Sequence, residues 1–369
     1  MFYENHPGPP IIYGWGAFRN IDRWLPEGNV FLVLGGASAD ILGIEERVRS
    51  NCKGKINIFR GIEPNPSSET VEIGADRLKN ADVDLILAVG GGSVIDAAKF
   101  MAQIANRGGS VIEFVTGKIT PEHLELPLIA VPTTPGTSSE ITPFSVVTVP
   151  ELNNKIGLRH PSIYPAKAVI DPELSIQLPP EQTAATGLDI LSHAVESFWA
   201  RKANRFTKEL SLTAVKKVKE HLPGAFMDGT SREHREGISL ASMFAGMSFA
   251  NTGTTICHAI SYPITMDTGL HHGMACALSL GPTYDLLRKK GIDDLEMIAE
   301  AFDSEPDTFS DDLTEFLVEL NAPSRLEVVR EKDWAERIMG TELENFRKNF
   351  KKELSSEDVK GIIGSMQGE

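Results

Sequence analysis

The stretch from Asp84 to Ser93, DLILAVGGGS, decides the fold class of this chain. Residues 85–89 form an unbroken apolar run, which is typical of a strand buried on both faces of a parallel sheet. Three glycines follow directly, and a helical pattern runs from Val94 to Ala105. A strand, a glycine turn and a helix in this order predict a βα unit with its turn at the carboxyl end of the strand.

The same alternation extends to both sides of this unit. Strands separated by helices of this length indicate a mostly parallel, doubly wound sheet, so an α/β fold class is predicted for the N-terminal part. A short strand and turn over Ile11 to Gly16 is of the kind that often pairs across a dimer. The predicted strands span 30–34, 56–59, 84–89, 126–131 and 167–170, and the predicted helices 39–51, 68–78 and 94–105.

The pattern changes at Pro179-Pro180, a pair that favours a domain border. Beyond it almost no strand pattern remains. We therefore predict an α/β cofactor-binding domain over residues 1–179 and an all-helical domain over residues 180–369. The amphipathic segments predicted as helices are 208–221, 236–250, 274–289, 295–302, 311–320 and 356–366.

Composition excludes several classes of function. The formal net charge of -15 disfavours a nucleic-acid or anionic-membrane partner, since both need a basic surface. No secretory pattern is seen in MFYENHPGPP, and no apolar run reaches the roughly 20 residues that span a bilayer. Three scattered cysteines predict reduced thiols and a cytoplasmic location.

The glycine turn, Gly90 to Ser93, has two interpretations. Backbone N–H groups at a helix N-terminus bind phosphate, and glycine allows a pyrophosphate to approach closely. Alternatively, Ser93 and Asp96 form a capping box that serves only the helix. Three consecutive glycines exceed what capping requires, which favours phosphate binding.

A hydroxyl-rich loop, Pro132 to Glu140, follows the fourth predicted strand. Open α/β sheets bind ligands at the carboxyl ends of their strands, so this loop is a second candidate for cofactor binding. Serine, threonine, glycine and proline also simply form loops. The residues alone leave both interpretations open.

Asp189 and His193 lie four residues apart in a helical, largely apolar segment, so both side chains share one face. A buried carboxylate needs a cation or hydrogen-bond donors. His258 and the pair His271-His272 lie in similar apolar, glycine-flanked settings. One aspartate with three histidines suits Fe²⁺ or Zn²⁺, and spacing does not choose between His271 and His272.

Four motifs together resemble the iron-containing (group III) alcohol dehydrogenases, relatives of glycerol dehydrogenase and dehydroquinate synthase. The resemblance covers essentially the whole chain. It implies an active site in the cleft between the two domains, and metal ligands at Asp189, His193, His258 and His272, the histidine that directly precedes a glycine. The motifs are GGGSVIDAAK (90–99), PTTPGTSSEIT (132–142), GLDILSHAVES (187–197) and HGMACALSLGP (272–282).

The resemblance also implies which residues bind the nicotinamide cofactor. Asn65 falls on the family's Pro-Asn-Pro element, and the glycine turn becomes the pyrophosphate site. The implied cofactor-binding residues are Asn65, Gly90, Gly91, Gly92, Ser93, Asp96, Thr133, Thr134, Thr137 and Lys155.

Two positions depart from the family pattern. Tyr262 stands where many members carry a histidine proposed as a proton relay. Tyrosine, with an ordinary pKa of about 10, is a poor base at neutral pH. Gly36 stands where NAD-selective members place an aspartate, and Ser38 offers a hydroxyl nearby. These two residues favour NADP(H) over NAD(H).

The predicted function is a metal-dependent NAD(P)H alcohol dehydrogenase or aldehyde reductase, acting on a small primary alcohol or diol or its aldehyde. The metal, Fe²⁺ or alternatively Zn²⁺, would act as a Lewis acid on the substrate oxygen. A homodimer or higher homo-oligomer is expected. The nearest alternative is a glycerol or other polyol dehydrogenase of the same fold, and a second is an inactive nucleotide-binding or assembly protein.

Overall fold

The computed structural model describes residues 4–152, 154–326, 334–340, 346, 348–350 and 352–367. It divides into two compact units. One spans Pro7–Gln177, and the other combines Met1–His6 with Leu178–Glu369.

The first unit is built on a six-stranded sheet in which all strand pairs are parallel. The strand order is β1-β8-β5-β4-β2-β3, and β6 and β7 form a separate antiparallel hairpin. The five strands predicted between residues 30 and 170 are confirmed to within a few residues. The short N-terminal strand predicted near Ile11 is also present, as β1, and it pairs with β8 of the same chain. The strands are β1 (Ile11–Tyr13), β2 (Val30–Leu34), β3 (Ile56–Phe59), β4 (Leu85–Gly90), β5 (Leu128–Pro132), β6 (Phe144–Val149), β7 (Asn154–Arg159) and β8 (Lys167–Ile170).

The β6–β7 hairpin is absent from the prediction made from the sequence. Its second strand reads NKIGLR, in which only Ile156 and Leu158 are apolar, so its alternating pattern is too weak to predict a strand. Such a strand is defined by its partner, since its backbone pairs along the whole of β6.

The helices of this unit follow the strands, with one correction. The single helix predicted over 39–51 is two helices, because Gly43 adopts a left-handed conformation with φ 59° that ends the first. Short 3₁₀ turns lie at 17–23, 139–141, 150–152, 161–163 and 172–175. The helices are α1 (Ala37–Ile41), α2 (Ile44–Asn51), α3 (Ser68–Lys79), α4 (Gly92–Arg107) and α5 (Val111–Val115).

The order of the strands creates a switch point between β2 and β4. From β2 the chain moves outward to β3, then returns to the other side of β2 to form β4. Helices that leave two such neighbouring strands cover opposite faces of the sheet, so a crevice opens at their carboxyl ends. Leu34 at the end of β2 is in register with Val89 of β4, which places Gly35-Gly36 beside the turn Gly90 to Gly92.

The core of the sheet consists of strands whose side chains are all buried. Every residue of β2, β4 and β5 is buried, as a parallel sheet covered on both faces requires. Each fully buried valine, leucine or isoleucine stabilises the folded state by about 1.5–3 kcal/mol. The rigidity of these strands determines where the loops at their ends lie.

In the described part of the second unit, the regular secondary structure is helical, apart from an isolated β-bridge between Ala200 and Phe350. The predicted segments lie within helices or extend at most one residue beyond their ends, except that 274–289 divides into two at Ser279. The helices are α6 (Pro180–Trp199), α7 (Arg205–Met227), α8 (Arg232–Thr252), α9 (Ile256–Thr268), α10 (His272–Leu278), α11 (Leu280–Lys289), α12 (Glu296–Ala301), α13 (Phe309–Glu319), α14 (Trp334–Met339) and α15 (Ser356–Gln367).

Helix α6 lies at the centre of this unit. Proline at its start suits the first helical turn, and nearly all its side chains from Thr183 onward are buried. At Gly187 the helix has no room for a side chain, because an added Cβ would lie 2.2 Å from Leu222 of α7. Among the helices described, none has the length and apolar character to cross a membrane.

Candidate metal and cofactor sites

Three of the four predicted metal ligands face one another in the helical unit. Asp189 lies on α6, His258 on α9 and His272 at the start of α10. Oδ1 of Asp189 lies 3.8 Å from Nε2 of His258 and 4.0 Å from Nε2 of His272. Two ligands about 2.1 Å from one ion at a tetrahedral angle lie about 3.4 Å apart, so these separations are too long for hydrogen bonds but suit a shared metal.

The buried members of this group have polar atoms without hydrogen bonds. Asp189 is 5% exposed and His258 is 4% exposed. Oδ1 of Asp189 and Nε2 of His258 make no hydrogen bond within the described part of the chain. Burial raises the pKa of Asp189, although His272 and His258 oppose this shift. Orphaned buried atoms of this kind are costly, and a divalent cation would satisfy both.

The fourth predicted ligand, His193, lies on the other side of the carboxylate. Its Nδ1 is 3.9 Å from Oδ2 of Asp189. Its ring stacks on Phe249 at 4.1 Å between centroids and on His258 at 4.6 Å. The structure therefore brings all four predicted ligands into one cluster, with His193 facing a different carboxylate oxygen from the other two histidines.

Gly273 explains how α10 comes so close to α6. An added Cβ at Gly273 would lie 2.0 Å from the carbonyl oxygen of Ala185 and 2.7 Å from the backbone nitrogen of Asp189. Only glycine fits between these backbone atoms. The absence of a side chain here is what lets His272 reach Asp189. His271 instead lies partly exposed beside Glu181, 3.5 Å away.

A buried carboxylate holds the His258 ring in place. Glu196 is fully buried and accepts hydrogen bonds from Nδ1 of His258, from the backbone N–H of Cys257 at 2.8 Å and from the backbone N–H of Thr255 at 3.0 Å. Burial alone would raise the pKa of Glu196, but His258 and the other donors lower it below its ordinary value. In the neutral ring, an Nδ1–H directed at Glu196 leaves the lone pair on Nε2, the nitrogen that faces Asp189.

Ser261 holds the His272 ring in place, as Glu196 does for His258. Its hydroxyl donates to the carbonyl of His258 at 2.7 Å, and its oxygen accepts from Nδ1 of His272 at 3.1 Å. Tyr262, the residue in the predicted proton-relay position, stacks on the His272 ring at 5.7 Å between centroids. Burial raises the pKa of Tyr262 to about 12, so its phenol carries a proton at neutral pH.

Cys276 is a member of the cluster that the sequence analysis missed. Its Sγ lies 3.7 Å from Nε2 of His272. One candidate ligand atom each from Asp189, His258, His272 and Cys276 lie within 4.8 Å of one another. The spacing of four residues after His272 was the available signal, since positions i and i+4 share a helix face.

The predicted phosphate turn has no side-chain cap. Helix α4 starts after Gly91, and no described side chain accepts from its first N–H groups. Ser93 is not the N-cap, because Gly91 holds that position and Ser93 lies within the first turn, where its Oγ accepts from the backbone N–H of Asn65 at 3.2 Å. The capping-box interpretation is therefore wrong, and the first N–H groups of α4 are left for an anion.

The hydroxyl-rich loop packs directly on this turn. The N–H of Thr133 donates to the carbonyl of Gly90 at 3.0 Å. An added Cβ at Gly91 would lie 2.9 Å from Oγ1 of Thr134, and one at Gly92 would lie 2.3 Å from Oγ1 of Thr137. The glycines are thus needed for close packing as well as for access to the backbone.

Asp96, predicted as a cofactor residue, is half-buried and makes its described contacts within the protein. Its carboxylate accepts from Oγ of Ser139 and from the N–H of Val146 at 3.0 Å, and Lys99 lies beside it. Burial lowers the pKa of Lys99 to about 8 and raises that of Glu140 to about 7, against the opposing effect of their mutual attraction. The described contacts of Asp96 therefore hold the hydroxyl loop and hairpin against α4.

The β6–β7 hairpin connects Lys155 to the same region. Thr148, the register partner of Lys155, donates through Oγ1 to the carbonyl of Asn65 at 3.0 Å. Asn65 itself has a left-handed φ of 56°. Burial lowers the pKa of Lys155. The structure thus brings Asn65, Ser93 and the hairpin together, a grouping that spans almost a hundred residues of sequence.

The end of β2 carries the residues predicted to select the cofactor. Gly36 and Ser38 are both exposed. An added Cβ at Gly36 would meet nothing within 4 Å. Asp40, in the following helix, pairs with Arg60 at 2.7 Å, so the first carboxylate after β2 already has a cationic partner.

An uncapped glycine turn at the switch point of a parallel sheet suits a dinucleotide, and a cluster of carboxylate and imidazole groups suits a divalent metal. Together they define a metal-dependent, nicotinamide-linked oxidoreductase. Residues 8–172 match the family described as iron-containing alcohol dehydrogenase, and residues 183–366 match the C-terminal domain of the Fe-containing alcohol dehydrogenase family. The chain belongs to the iron-containing alcohol dehydrogenase family, as its four motifs predicted.

Individual relatives agree with this assignment. The NADPH-dependent butanol dehydrogenase of Clostridium saccharobutylicum is 35% identical over 73% of this chain and 70% of its own. The NAD-dependent methanol dehydrogenase of Bacillus methanolicus is 31% identical over 74% and 72%. The sulfoacetaldehyde reductase of Bifidobacterium kashiwanohense, solved with NAD⁺, superposes with a TM-score of 0.90 at 26% identity over 99% of both chains.

Proposed function

We propose that the chain interconverts a small primary alcohol or diol and its aldehyde, using NADP(H) and a divalent metal held by Asp189, His193, His258 and His272. The observation that carries the proposal is the set of imidazole nitrogens 3.8–4.0 Å from the oxygens of one buried carboxylate. Residues 1–179 would bind the cofactor and residues 180–369 the metal and substrate.

The donor set fits the proposed metal. Carboxylate oxygen and neutral imidazole nitrogen suit Fe²⁺, the ion we favour, and Zn²⁺ as the alternative. When bound, such an ion supplies Lewis-acid polarisation of the substrate oxygen. Glu196 and Ser261 orient two of the rings, and the His272 side chain, 33% exposed, marks the side of the cluster that is open to a substrate.

The chain's own residues account for binding and orientation of the cofactor. The first N–H groups of α4 would bind the pyrophosphate, with Thr134 and Thr137 packed beside them. Ser93, Asn65 and Lys155 would line the same pocket. Tyr262 would donate a hydrogen bond near the reacting groups, and the proton would pass through substrate or cofactor hydroxyls and water, because a phenol is a poor base at neutral pH.

Replacing two metal ligands tests the function directly. We expect the Asp189→Ala/His258→Ala double variant to lose bound metal and at least about a thousandfold in kcat/KM, a loss of about 4 kcal/mol, with its circular dichroism unchanged. The measurements are metal content after anaerobic purification and turnover of aldehydes with NADPH. Full activity in a metal-free double variant would contradict the proposal.

The same assay separates the two alternatives. Glycerol with NAD⁺ is included beside simple alcohols, and preferential turnover of glycerol would favour the polyol dehydrogenase. Wild-type protein that binds neither metal nor NADP(H) would instead favour an inactive assembly protein.

Gly36 tests the proposed preference for NADP(H). We expect Gly36→Asp to lower kcat/KM with NADPH by at least about tenfold, since a carboxylate would repel the 2′-phosphate, and to raise it with NADH. The substitution fits sterically, because an added Cβ there meets nothing within 4 Å. Gly36→Asn is the matched neutral control. A wild-type enzyme that prefers NADH would show the preference to be wrong.

We also propose a cytoplasmic homodimer or higher homo-oligomer. Strand β1 lies at one edge of the sheet, and an edge strand offers backbone groups for pairing with a second copy. Light scattering coupled to size exclusion measures the mass, and a monomer at micromolar concentration would contradict this part of the proposal.

A further inference from the structure

Cys276 lies inside the proposed metal site. It is fully buried on α10, and one helical turn separates it from His272. Its Sγ lies 3.7 Å from Nε2 of His272, and it falls within 4.8 Å of the candidate ligand atoms of Asp189 and His258. A cysteine in a core behaves as a small apolar residue, so its burial alone indicates no ligand role.

Two further atoms indicate a ligand role. Oδ1 of Asp189 and Nε2 of His258 belong to side chains 5% and 4% exposed, and both face the cluster without a hydrogen bond to any described residue. Oδ1 is also the carboxylate oxygen nearest Nε2 of His272, whereas Nδ1 of His193 lies nearest Oδ2. Sγ of Cys276 therefore lies in one group with a carboxylate oxygen of Asp189 and the ring nitrogens of His258 and His272.

We propose that Cys276 is an additional metal ligand, bound as a thiolate beside Asp189, His258 and His272, with His193 reaching the same ion from the Oδ2 side. The inference rests on the metal site of the proposed function. On binding, the S–H bond breaks, its proton passes to solvent, and a sulfur–metal bond forms without any change of oxidation state. A sulfur donor makes the site more selective for Zn²⁺ or Fe²⁺ over Mg²⁺ or Mn²⁺ than an O/N₃ set is.

Cobalt substitution reports sulfur ligation without reference to activity. Chelator-treated full-length protein is reconstituted anaerobically with Co²⁺, and its absorption spectrum is recorded. We expect a thiolate-to-cobalt charge-transfer band in the near ultraviolet for the wild type, and loss of this band in Cys276→Ala. Competition with a chromophoric chelator should show Co²⁺ binding weakened by about tenfold or more, as expected when a group that holds a metal is removed.

Matched variants separate ligation from folding. Cys276→Ser keeps nearly the same volume and should also lose the band, which covers the case in which the alanine variant does not fold. Cys257→Ser changes the neighbouring buried cysteine, whose Sγ lies 3.6 Å from Oγ1 of Thr283, and should keep the band.

The outcomes distinguish this inference from the proposed function. Cobalt that binds the wild type without a charge-transfer band, or a band that survives both Cys276 variants, would overturn the thiolate ligand and leave the proposed function in place. Wild-type protein that binds no cobalt would overturn both.

Discussion

At the scale of single residues, the site depends on groups that touch no substrate. Glu196 holds His258 through Nδ1 and is itself held by two backbone N–H groups. Ser261 holds His272 in the same way. A ring fixed in this manner offers its other nitrogen to a metal without losing conformational entropy on binding.

We expect Glu196→Gln to weaken metal binding by about 10–100-fold, the usual effect of removing a partner that orients a ligand. The glutamine amide keeps the side-chain volume and can still accept a hydrogen bond. It lacks the negative charge of the carboxylate, which makes the His258 ring a stronger metal ligand. Isothermal titration of the apoprotein with Zn²⁺ measures the change.

Glu181→Gln is the control for this comparison, because Glu181 lies beside the partly exposed His271. Its affinity for Zn²⁺ should match the wild type. An unchanged affinity in Glu196→Gln would show that Glu196 only supports the fold.

At the scale of elements, the site depends on how closely three helices approach. Helix α6 supplies Asp189 and His193, α9 supplies His258 and α10 supplies His272. Gly273 sets the distance between α10 and α6, since backbone atoms of Ala185 and Asp189 occupy the space that a side chain would need. The glycine that directly follows His272 is therefore required for the close packing of α10 against α6.

We expect Gly273→Ala to destabilise the protein by about 1–3 kcal/mol, because backbone atoms cannot move aside as a flexible side chain can. It should also lower metal affinity, since α10 must shift away from Asp189 and carry His272 with it. Chemical denaturation of the apoprotein and metal titration measure the two effects.

Gly361→Ala in α15 is the matched control, since an added Cβ there meets nothing within 4 Å. It should leave metal affinity unchanged and not destabilise the protein. A Gly273→Ala variant with wild-type stability and affinity would contradict the packing argument.

At the scale of the whole molecule, metal binding and folding are linked. An ion that binds only the native state stabilises it by about 2.7 kcal/mol when its free concentration is a hundred times its dissociation constant. We expect chelation to lower the melting temperature of the wild type and to leave that of Asp189→Ala/His258→Ala unchanged. Differential scanning calorimetry measures the shift.

Hydrogen exchange locates the same effect along the chain. Removal of metal should reduce the protection of backbone amides against hydrogen exchange in α6, α9 and α10, which carry the ligands. The protection of amides in the six-stranded sheet should not change. Equal loss of protection in the sheet would contradict a metal site confined to the helical unit.

Much of the fold is predictable because its signals are local. Apolar runs such as 30–34 and 85–89 indicate buried strands, and the 3.6-residue period indicates helices. The errors have equally local causes. Gly43 divides a predicted helix because it adopts a positive φ, and the β6–β7 hairpin was not predicted because its second strand carries only two apolar residues.

The sequence by itself determined the α/β and helical halves, the glycine turn, the Asp189–His193 pair on one helix face, and the family. Only the tertiary structure decided that Glu196 holds His258, 62 residues away, and that Cys276 joins the cluster. The physical reason is the distance along the chain over which each kind of interaction acts. Helix and strand periods act over one or two turns of chain, whereas a metal site depends on which faces of three distant helices pack together.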